Sequence, residues 1–470
     1  MIISDIADTI ERRVSGAAGA AREALFEPVI RLGVTGLSRS GKTVFITSLV
    51  ANLLDRGRMP QFQAASSGAI QSAYLQPQPD DTVPRFEFEP HLAQLTGTDP
   101  SWPESTRAIS ELRVSLRVQP AGLLGAFSGP RTVHLDVIDY PGEWLLDLGL
   151  LERSFADWSD DMLGKLENRP GGQIYLDQLA VADPSARLVE TDAQSLALRY
   201  TDALQAARAA GFSDCTPGRF ILPGEMAGSP VLTFAPLPRA AYGRGTLGRE
   251  FERRFEAYKR EVARPFFRNH FARLDRQIVL VDALGALHAG PAALEDLRGT
   301  LEDVLSAFRP GRNSWLSGIL GKRVDKILFA ATKADHLHHT QHARLSAIME
   351  ALVQDARRRA DFAGAETGAM AIAALRATTE ETRSHKGRSL DLVRGRLEDT
   401  GKEAAFFAGT LPKDPMAVLA PAREGAAGWL EGDYAAMRFA PAALTLRPGE
   451  GPPHIRLDRA AEFLLGDRLR

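Results

Sequence analysis

Gly36, Gly41, Lys42 and Thr43 have the types and the spacing of a phosphate-binding loop. They satisfy the pattern G-x-x-x-x-G-K-[ST], in which backbone N–H groups close around phosphates at the N-terminus of a helix. Lys42 is expected to reach the β- and γ-phosphates, and the Thr43 hydroxyl to coordinate Mg²⁺. The nucleotide-binding residues predicted here are Gly36, Ser38, Arg39, Ser40, Gly41, Lys42, Thr43 and Val44.

A second phosphate element follows an apolar run at residues 131–139, where Asp139-Tyr140-Pro141-Gly142 reads D-x-x-G. Asp139 can hold Mg²⁺ through water, and the Gly142 N–H can meet a γ-phosphate oxygen and sense its loss. The next residue is Glu143, where Ras-like enzymes often place a glutamine that orients the attacking water. Glu143 can accept a hydrogen bond from water, but its charge would face the γ-phosphate. We therefore expect slow turnover, or another residue in that role.

A third element is typical of guanine recognition. Residues 325–335, DKILFAATKAD, read as a buried strand ending in Thr332-Lys333-Ala334-Asp335, which matches [NT]KxD. Asp335 can accept hydrogen bonds from N1–H and the exocyclic amine of guanine, groups that adenine does not present. The Lys333 stem is expected to stack on the base. Ala377 and Thr378 follow the apolar segment GAMAIAAL and are expected to supply a backbone contact to guanine O6.

The remaining catalytic candidates lie just before the first strand of the predicted hairpin. Thr106 has the position of a switch threonine that binds Mg²⁺ when GTP is present, with Thr82, Thr96 and Thr98 as rivals. Arg107 is a candidate arginine finger supplied in cis, which would stabilise transition-state charge, or an exposed loop arginine. The predicted catalytic residues are Lys42, Thr106, Arg107, Gly142 and Glu143, and the predicted metal ligands are Thr43, Thr106 and Asp139.

One histidine-rich stretch follows the base-reading element. His338 and His342 are one helical turn apart, but a zinc site needs at least a third placed ligand, so a polar helix face is the competing interpretation.

The elements that must position these residues occur in a definite order. Residues 109–118 and 131–139 predict an antiparallel hairpin, and QIVLVDAL, residues 277–284, predicts a further strand in which Asp282 is a turn residue. The order predicts an α/β fold with a Ras-like P-loop GTPase core. More than 130 residues separate Gly142 from Gln277, so we expect a large, mainly helical inserted domain.

The predicted organisation has five parts. They are an N-terminal amphipathic helix at 1–28, the first part of the G domain at 29–143, the inserted helical domain at 144–276, the second part of the G domain at 277–409, and a C-terminal extension packed on the core at 410–470. Within the extension, GWLEGDYAAMRFAPAAL predicts strands and HIRLDRAAEFLLGD a closing helix.

Composition excludes several classes of function. A net charge of -2 gives no reason to expect nucleic acid as a partner. No apolar stretch approaches the roughly 20 residues of a transmembrane segment, and because the first residues lack the basic region and long apolar run of a secretory signal, we do not expect export by that route. The single cysteine fits a reducing cytosol. The helix predicted at 1–28 either packs on its own domain or docks on a membrane surface or partner.

The sequence resembles the YcjX family of bacterial P-loop proteins. The resemblance rests on GLSRSGKTVFITSLV, WPESTRAISELRV, LDVIDYPGEWLLDLGLL, RQIVLVDALGALHAGP, TKADHLHH and PHIRLDRAAEFLLGD. It implies a stress-associated cytoplasmic protein, peripheral at the inner membrane if it docks on a membrane protein through the inserted domain or the N-terminal helix.

Together, the motifs and the resemblance predict a switch enzyme that binds GTP or GDP with Mg²⁺ and hydrolyses GTP to GDP and phosphate. Two alternatives stay open: a nucleotide-gated adaptor with negligible hydrolysis, which Glu143 favours, and an ATPase, which Asp335 disfavours.

Overall fold

The computed structural model describes residues 27–37, 40–104, 108–120, 129–270, 273–306, 324–362, 365–385 and 387–470. Seven strands form one sheet in the order β2-β3-β4-β1-β5-β6-β7. The strands of this sheet are β1 (Val29–Gly36), β2 (Ile70–Gln76), β3 (Ser110–Val118), β4 (Arg131–Asp139), β5 (Arg276–Val281), β6 (Lys326–Ala331) and β7 (Glu366–Ala371). The helix predicted at 1–28 lies almost wholly outside the described residues.

Pairing in the sheet follows the predicted hairpin. β3 and β4 are antiparallel, with Ser110 opposite Asp139, so the predicted hairpin is confirmed. β4, β1, β5, β6 and β7 are mutually parallel, and β2 adds an antiparallel strand outside β3. Only β3 therefore runs against the others in this sheet. The predicted α/β class is confirmed.

The helices divide between the sheet and the insertion. Around the sheet lie α1 (Lys42–Leu54), α2 (Gln63–Ser66), α3 (Phe88–Thr96), α4 (Glu143–Leu150), α11 (Ala283–Ala289), α12 (Pro291–Ser306), α13 (His342–Phe362), α14 (Met416–Arg423) and α15 (Leu457–Leu465). Between α4 and β5 lie α5 (Phe155–Leu166), α6 (Gly172–Val181), α7 (Glu190–Ala209), α8 (Gly218–Ile221), α9 (Leu247–Tyr258) and α10 (Arg264–Asn269).

Three hydrophobic clusters hold these elements. One includes Leu32, Leu49 and Leu464, where the first helix and the closing helix share a cluster with strand residues. A second includes Leu148, Phe329 and Leu345. The third includes Leu150 of α4 but lies mostly within the insertion, with Trp158 stacked on Phe255 at 5.1 Å between ring centroids. The insertion thus buries aromatic side chains in a cluster separate from those of the sheet. Removal of this apolar surface from water stabilises the inserted helices.

The C-terminal third differs from what the sequence predicts. A three-stranded antiparallel sheet, β8 (Thr379–His385), β9 (Arg388–Arg396) and β10 (Glu403–Phe406), was not predicted. The strands predicted for residues 428–444 are wrong, because that segment is irregular apart from a bridge between Phe439 and Leu397. Isolated backbone hydrogen bonds connect it to β9 and the turn that follows, such as that from Ala440 N to Arg396 O at 2.8 Å. The predicted closing helix is confirmed as α15.

Candidate nucleotide-binding site

The predicted motifs meet at one edge of the sheet. β1, β4 and β6 are parallel or joined through parallel neighbours, and their carboxyl ends lead into the P-loop, D-x-x-G and TKAD segments respectively. Carboxyl ends of parallel strands are the usual position for a ligand in an α/β sheet. The sheet therefore brings together segments up to 300 residues apart in sequence.

The phosphate loop joins β1 directly to α1. Gly41 has φ of 80°, a left-handed conformation that L side chains rarely adopt, and no atom would obstruct a Cβ there. Backbone conformation, rather than space, thus requires this glycine. Lys42 begins the helix, and its Nζ donates to the carbonyl oxygen of Gly36 at 3.2 Å. Ser38 and Arg39 lie outside the described residues.

The D-x-x-G segment packs directly on the phosphate loop. A Cβ at position 142 would lie 1.6 Å from the carbonyl oxygen of Gly36, so only glycine fits without a backbone shift. Asp139 is buried at the end of β4 beside Val34 of β1. Thr43 and Ser40 are also buried, and the Ser40 hydroxyl has no hydrogen-bond partner within the described part of the chain. Thr106 and Arg107 lie outside the described residues.

The base-reading segment is held by hydrogen bonds from the next loop. Asp335 is buried, and its Oδ2 accepts from Ala377 N at 2.9 Å. The Thr378 hydroxyl donates to the backbone carbonyl of Asp335. Thr332 is held by its N–H, which donates to Val281 O at 2.9 Å. The hydrogen bond from Ala377 N thus orients the carboxylate of Asp335.

Lys333 occupies a left-handed conformation with φ of 60°. Its ammonium pairs with Asp282, which also accepts from Gly285 N at 2.9 Å at the start of α11. The turn role predicted for Asp282 is confirmed. Lys333 also lines the cavity between this segment and the phosphate loop.

A cavity of about 370 Å³ lies between the phosphate loop and the base-reading segment. That volume falls within the range of ligand pockets. It is lined by Ser40, Gly41, Lys42, Thr43, Val44, Phe45, Trp102, Pro103, Glu104, Thr332, Lys333, Asp335, His336, Ala373, Ala374, Leu375, Glu398, Met437, Arg438 and Phe439.

Ala377 and Thr378 are not among the lining residues, contrary to their predicted place against the base. Ala373, Ala374 and Leu375 line the cavity instead. The reason is the end of β7 at Ala371, since the residues immediately after a strand face the carboxyl edge. By residue 377 the chain has turned behind Asp335, where its N–H orients that carboxylate.

Two lining segments were not predicted from the sequence. The Trp102 indole Nε1 donates to the Phe439 carbonyl at 2.7 Å, so the segment before the first hairpin strand touches the C-terminal extension. Phe439 in turn lies edge-on to His336 at 5.3 Å. Burial lowers the pKa of His336, which favours the neutral ring. Arg438 and Phe439 lie in an irregular segment that matches no motif, so the sequence does not predict that they line the cavity.

Glu143 is buried and ion-paired rather than open to water. Its carboxylate lies 2.7 Å from Arg208 of α7 in the insertion. The next residue is also bound to the insertion, because Trp144 Nε1 donates to Leu222 O at 3.0 Å and the Arg219 guanidinium lies 3.1 Å from the Trp144 ring centroid. The beginning of α4, adjacent to Gly142, is thus tied to the inserted helices.

Asp147 provides a further link from α4 to the insertion. It accepts from Gly218 N at 2.8 Å and from the Tyr258 hydroxyl at 2.6 Å. Burial raises the pKa of Asp147 to about 7, although both hydrogen bonds act in the opposite direction. Its charge state therefore changes near neutral pH.

The sheet order, the glycine loop at the start of α1 and the TKAD segment define the class: a P-loop protein with a Ras-like GTPase core. Comparison with known proteins gives the narrower group. The model of the YcjX-like family, DUF463, matches residues 30–469, and the chain belongs to this family.

Two relatives resemble the chain over most of its length. It is 37% identical over 457 residues to the Ras-like GTPase YcjX of Escherichia coli (strain K12), an alignment that covers 94% of this chain and 96% of that protein. It is 32% identical over 467 residues to the Ras-like GTPase YcjX of Shewanella oneidensis, with 94% of each chain covered. None of the helices in the described parts of the chain combines the length and apolar character needed to cross a membrane.

Proposed function

We propose that this chain binds guanine nucleotides with Mg²⁺ and hydrolyses GTP to GDP and phosphate. The carrying observation is the single cavity that Lys42 and Thr43 line at one end and Asp335 at the other. The two relatives are themselves named Ras-like GTPases, which supports the same assignment.

At the base end of the cavity, Asp335 makes the site prefer guanine over adenine. With Oδ2 held by Ala377 N, Oδ1 is the acceptor available to N1–H and the exocyclic amine. Lys333 presents its stem to the base while its ammonium stays on Asp282. Adenine has no N1–H donor, so ATP would leave the buried carboxylate without its hydrogen bond.

At the phosphate end, the chain supplies charge and backbone N–H groups. Lys42 exchanges its contact with the Gly36 carbonyl for the β- and γ-phosphates. The buried oxygens of Thr43 and Asp139 suit Mg²⁺, and the Ser40 hydroxyl is a further oxygen that no described residue bonds. When bound, Mg²⁺ neutralises the charge that develops on the phosphates.

Water positioning is the slow part of this reaction. Glu143 is engaged by Arg208, so it is a poor base for the attacking water, and we expect low intrinsic turnover. The same ion pair favours a second candidate function, a nucleotide-gated adaptor in which hydrolysis is negligible.

In both functions, the inserted helices report the nucleotide state. Gly142 touches the phosphate loop, and α4 begins at the next residue and is bonded to the insertion through Glu143, Trp144 and Asp147. A shift of Gly142 on loss of the γ-phosphate would therefore move α4 against α7 and α8.

Single-turnover hydrolysis of labelled GTP and ATP with Mg²⁺, together with binding of both nucleotides, tests the enzyme. Wild type should bind and hydrolyse GTP in preference to ATP, and Lys42→Ala should lower hydrolysis by about a thousandfold. Lys402→Ala, at an exposed lysine between β9 and β10, is the control and should match wild type. Selective GTP binding without hydrolysis would establish the adaptor instead, and selective ATP binding would refute guanine recognition.

Hydrogen exchange tests the link to the insertion. Peptides covering residues 143–150 and 204–222 should differ in protection between GDP and a non-hydrolysable GTP analogue. Identical protection in both states would exclude the insertion as the part that responds.

A further inference from the structure

A cluster of nitrogen and oxygen ligands lies beside the base-reading loop. His338 and His339 follow Asp335 by three and four residues, and Glu380 is the second residue of β8, just after Thr378. One ligand atom from each of the three side chains lies within 4.8 Å of the others. His342, the partner that spacing had suggested for His338, is instead bonded to the Leu337 carbonyl at 3.0 Å.

The distances within this cluster suit a small cation. Glu380 Oε2 lies 2.5 Å from His339 Nδ1 and 3.8 Å from His338 Nε2. Ligand atoms about 2.0–2.2 Å from a tetrahedral Zn²⁺ are roughly 3.4 Å apart, a value between these two distances. Small side-chain rotations would therefore equalise them around one ion.

The two less exposed residues of the cluster, His338 and Glu380, each have a further polar partner on the side away from the other ligands. His338 Nδ1, the ring nitrogen that faces away from Glu380, lies 3.1 Å from the Thr340 hydroxyl and 3.6 Å from Asp391 Oδ2. Glu380 Oε1 lies 3.4 Å from Arg376 Nη2. A metal-binding histidine generally directs its second nitrogen to a carboxylate or another acceptor, which fixes its tautomer and orientation. A simple ion pair between His339 and Glu380 would not need this arrangement at His338.

The exposure of the ligands leaves one side of the cluster open. The side chains of His338 and Glu380 are 7% and 19% exposed, whereas that of His339 is 66% exposed. Two imidazoles and one carboxylate suit zinc and its neighbours, whereas Mg²⁺ prefers all-oxygen ligands. Three protein ligands and an open position are the usual composition of a zinc site that keeps a water or accepts a fourth ligand.

We propose that His338, His339 and Glu380 bind a divalent transition-metal ion of the zinc type, with Asp391 orienting His338 from behind. Such an ion would join the segment after Asp335 to the strand after Thr378. These two segments already meet through the Asp335–Ala377 hydrogen bond. Metal binding would therefore stiffen the base end of the cavity without touching the phosphate end.

The experiment is a Zn²⁺ titration of the chelator-treated full-length protein against a chromophoric chelator, in the absence of nucleotide. Wild type should bind one equivalent, and Co²⁺ should give visible absorption bands typical of a low-coordinate site. His339→Ala and Glu380→Gln should each weaken Zn²⁺ by about tenfold or more. His288→Gln, at an exposed histidine on α11, is the control and should behave as wild type.

Thermal unfolding gives a second measurement, which distinguishes loss of Zn²⁺ binding from misfolding of a variant. At the same Zn²⁺ concentration, the Tm of wild type and His288→Gln should rise by the same amount and that of Glu380→Gln by less, while all three proteins unfold cooperatively without metal. Equal Zn²⁺ binding by wild type and by the His339→Ala, Glu380→Gln double variant would overturn the site. The titration uses no nucleotide, so its outcome is independent of whether GTP is the substrate.

Discussion

The two ends of the cavity are built in different ways. The phosphate end is mostly local, because the short segment between β1, which ends at Gly36, and α1, which begins at Lys42, supplies most of the residues needed there. The base end is assembled from distant segments, including Asp335, Ala374 and Phe439. Changes at the phosphate end should therefore alter chemistry steeply, whereas changes at the base end should alter selectivity and affinity by smaller steps.

Gly142→Ala is the sharpest test at the phosphate end. The added Cβ would meet the Gly36 carbonyl at 1.6 Å, so the D-x-x-G segment must move away from the phosphate loop. We expect single-turnover GTP hydrolysis to fall by about a hundredfold or more, with a smaller loss of GDP affinity, because Gly142 acts at the γ-phosphate.

Gly149→Ala is the matched control for that variant. It lies in α4, the helix that begins directly after Gly142, and its Cβ would meet only an ordinary contact at 3.6 Å from the Asp303 side chain. It should keep wild-type activity, and a similar loss in both variants would show that α4 is sensitive to any change.

Asp335→Asn tests the base end by exchange of specificity. The amide keeps one acceptor but replaces the other with a donor, so guanine loses a charged hydrogen bond and GTP affinity should fall about ten- to a hundredfold. Xanthine carries a carbonyl where guanine has its amine, and the variant should bind xanthosine triphosphate better than wild type does. Competition binding measures both, and unchanged GTP affinity would remove Asp335 from the site.

Trp102→Phe tests the unpredicted contact across the cavity. It removes the hydrogen bond to the Phe439 carbonyl while keeping an aromatic ring, so nucleotide affinity should fall by about three- to tenfold with kcat little changed. Trp429→Phe is the control, since it removes a comparable 3.0 Å bond to Leu287 O in residues that do not line the cavity. Equal effects of the two changes would mean that the Trp102 bond contributes only general stability.

Asp147→Asn tests the hydrogen bonds that join α4 to the inserted helices. Burial raises the pKa of Asp147 to about 7, so the folded state keeps a proton that the unfolded state releases above about pH 4. Stability should therefore fall as pH rises from about 4 to 7, and the variant should lose this contribution, of the order of 1–4 kcal/mol. Denaturant unfolding at several pH values measures the difference.

The comparison between the two proteins isolates Asp147. Burial also raises the pKa of Glu111 to about 7, but that residue is present in both. Parallel stability profiles for wild type and Asp147→Asn would contradict the raised pKa.

The contrast between the two ends also explains what the sequence could predict. The phosphate loop was recognisable because its spacing is set by a local turn, and β3, β4 and β6 because their residues are continuously apolar or alternate. The sequence does not predict the sheet of β8 to β10. Its first two strands lie in TEETRSHKGRSLDLVRGR, which is mostly polar on both faces, so the alternation of apolar and polar residues that marks a strand is weak. Phe439 reaches the cavity through a single bridge to Leu397, a contact that no local pattern encodes.

Chain order at the centre of the sheet has a consequence for synthesis. β1 pairs with β5, and Leu32 lies opposite Arg276, so this central pairing closes a loop of more than two hundred residues. At about 5–20 residues per second, roughly ten seconds or more of translation separate the phosphate loop from its neighbour strand. The base end is completed later still, because the hydrogen bond from Trp102 to the Phe439 carbonyl can form only after Phe439 has been synthesised. We therefore expect nascent chains to acquire full nucleotide affinity only at the end of translation, with the inserted helices free to fold first around their own aromatic cluster.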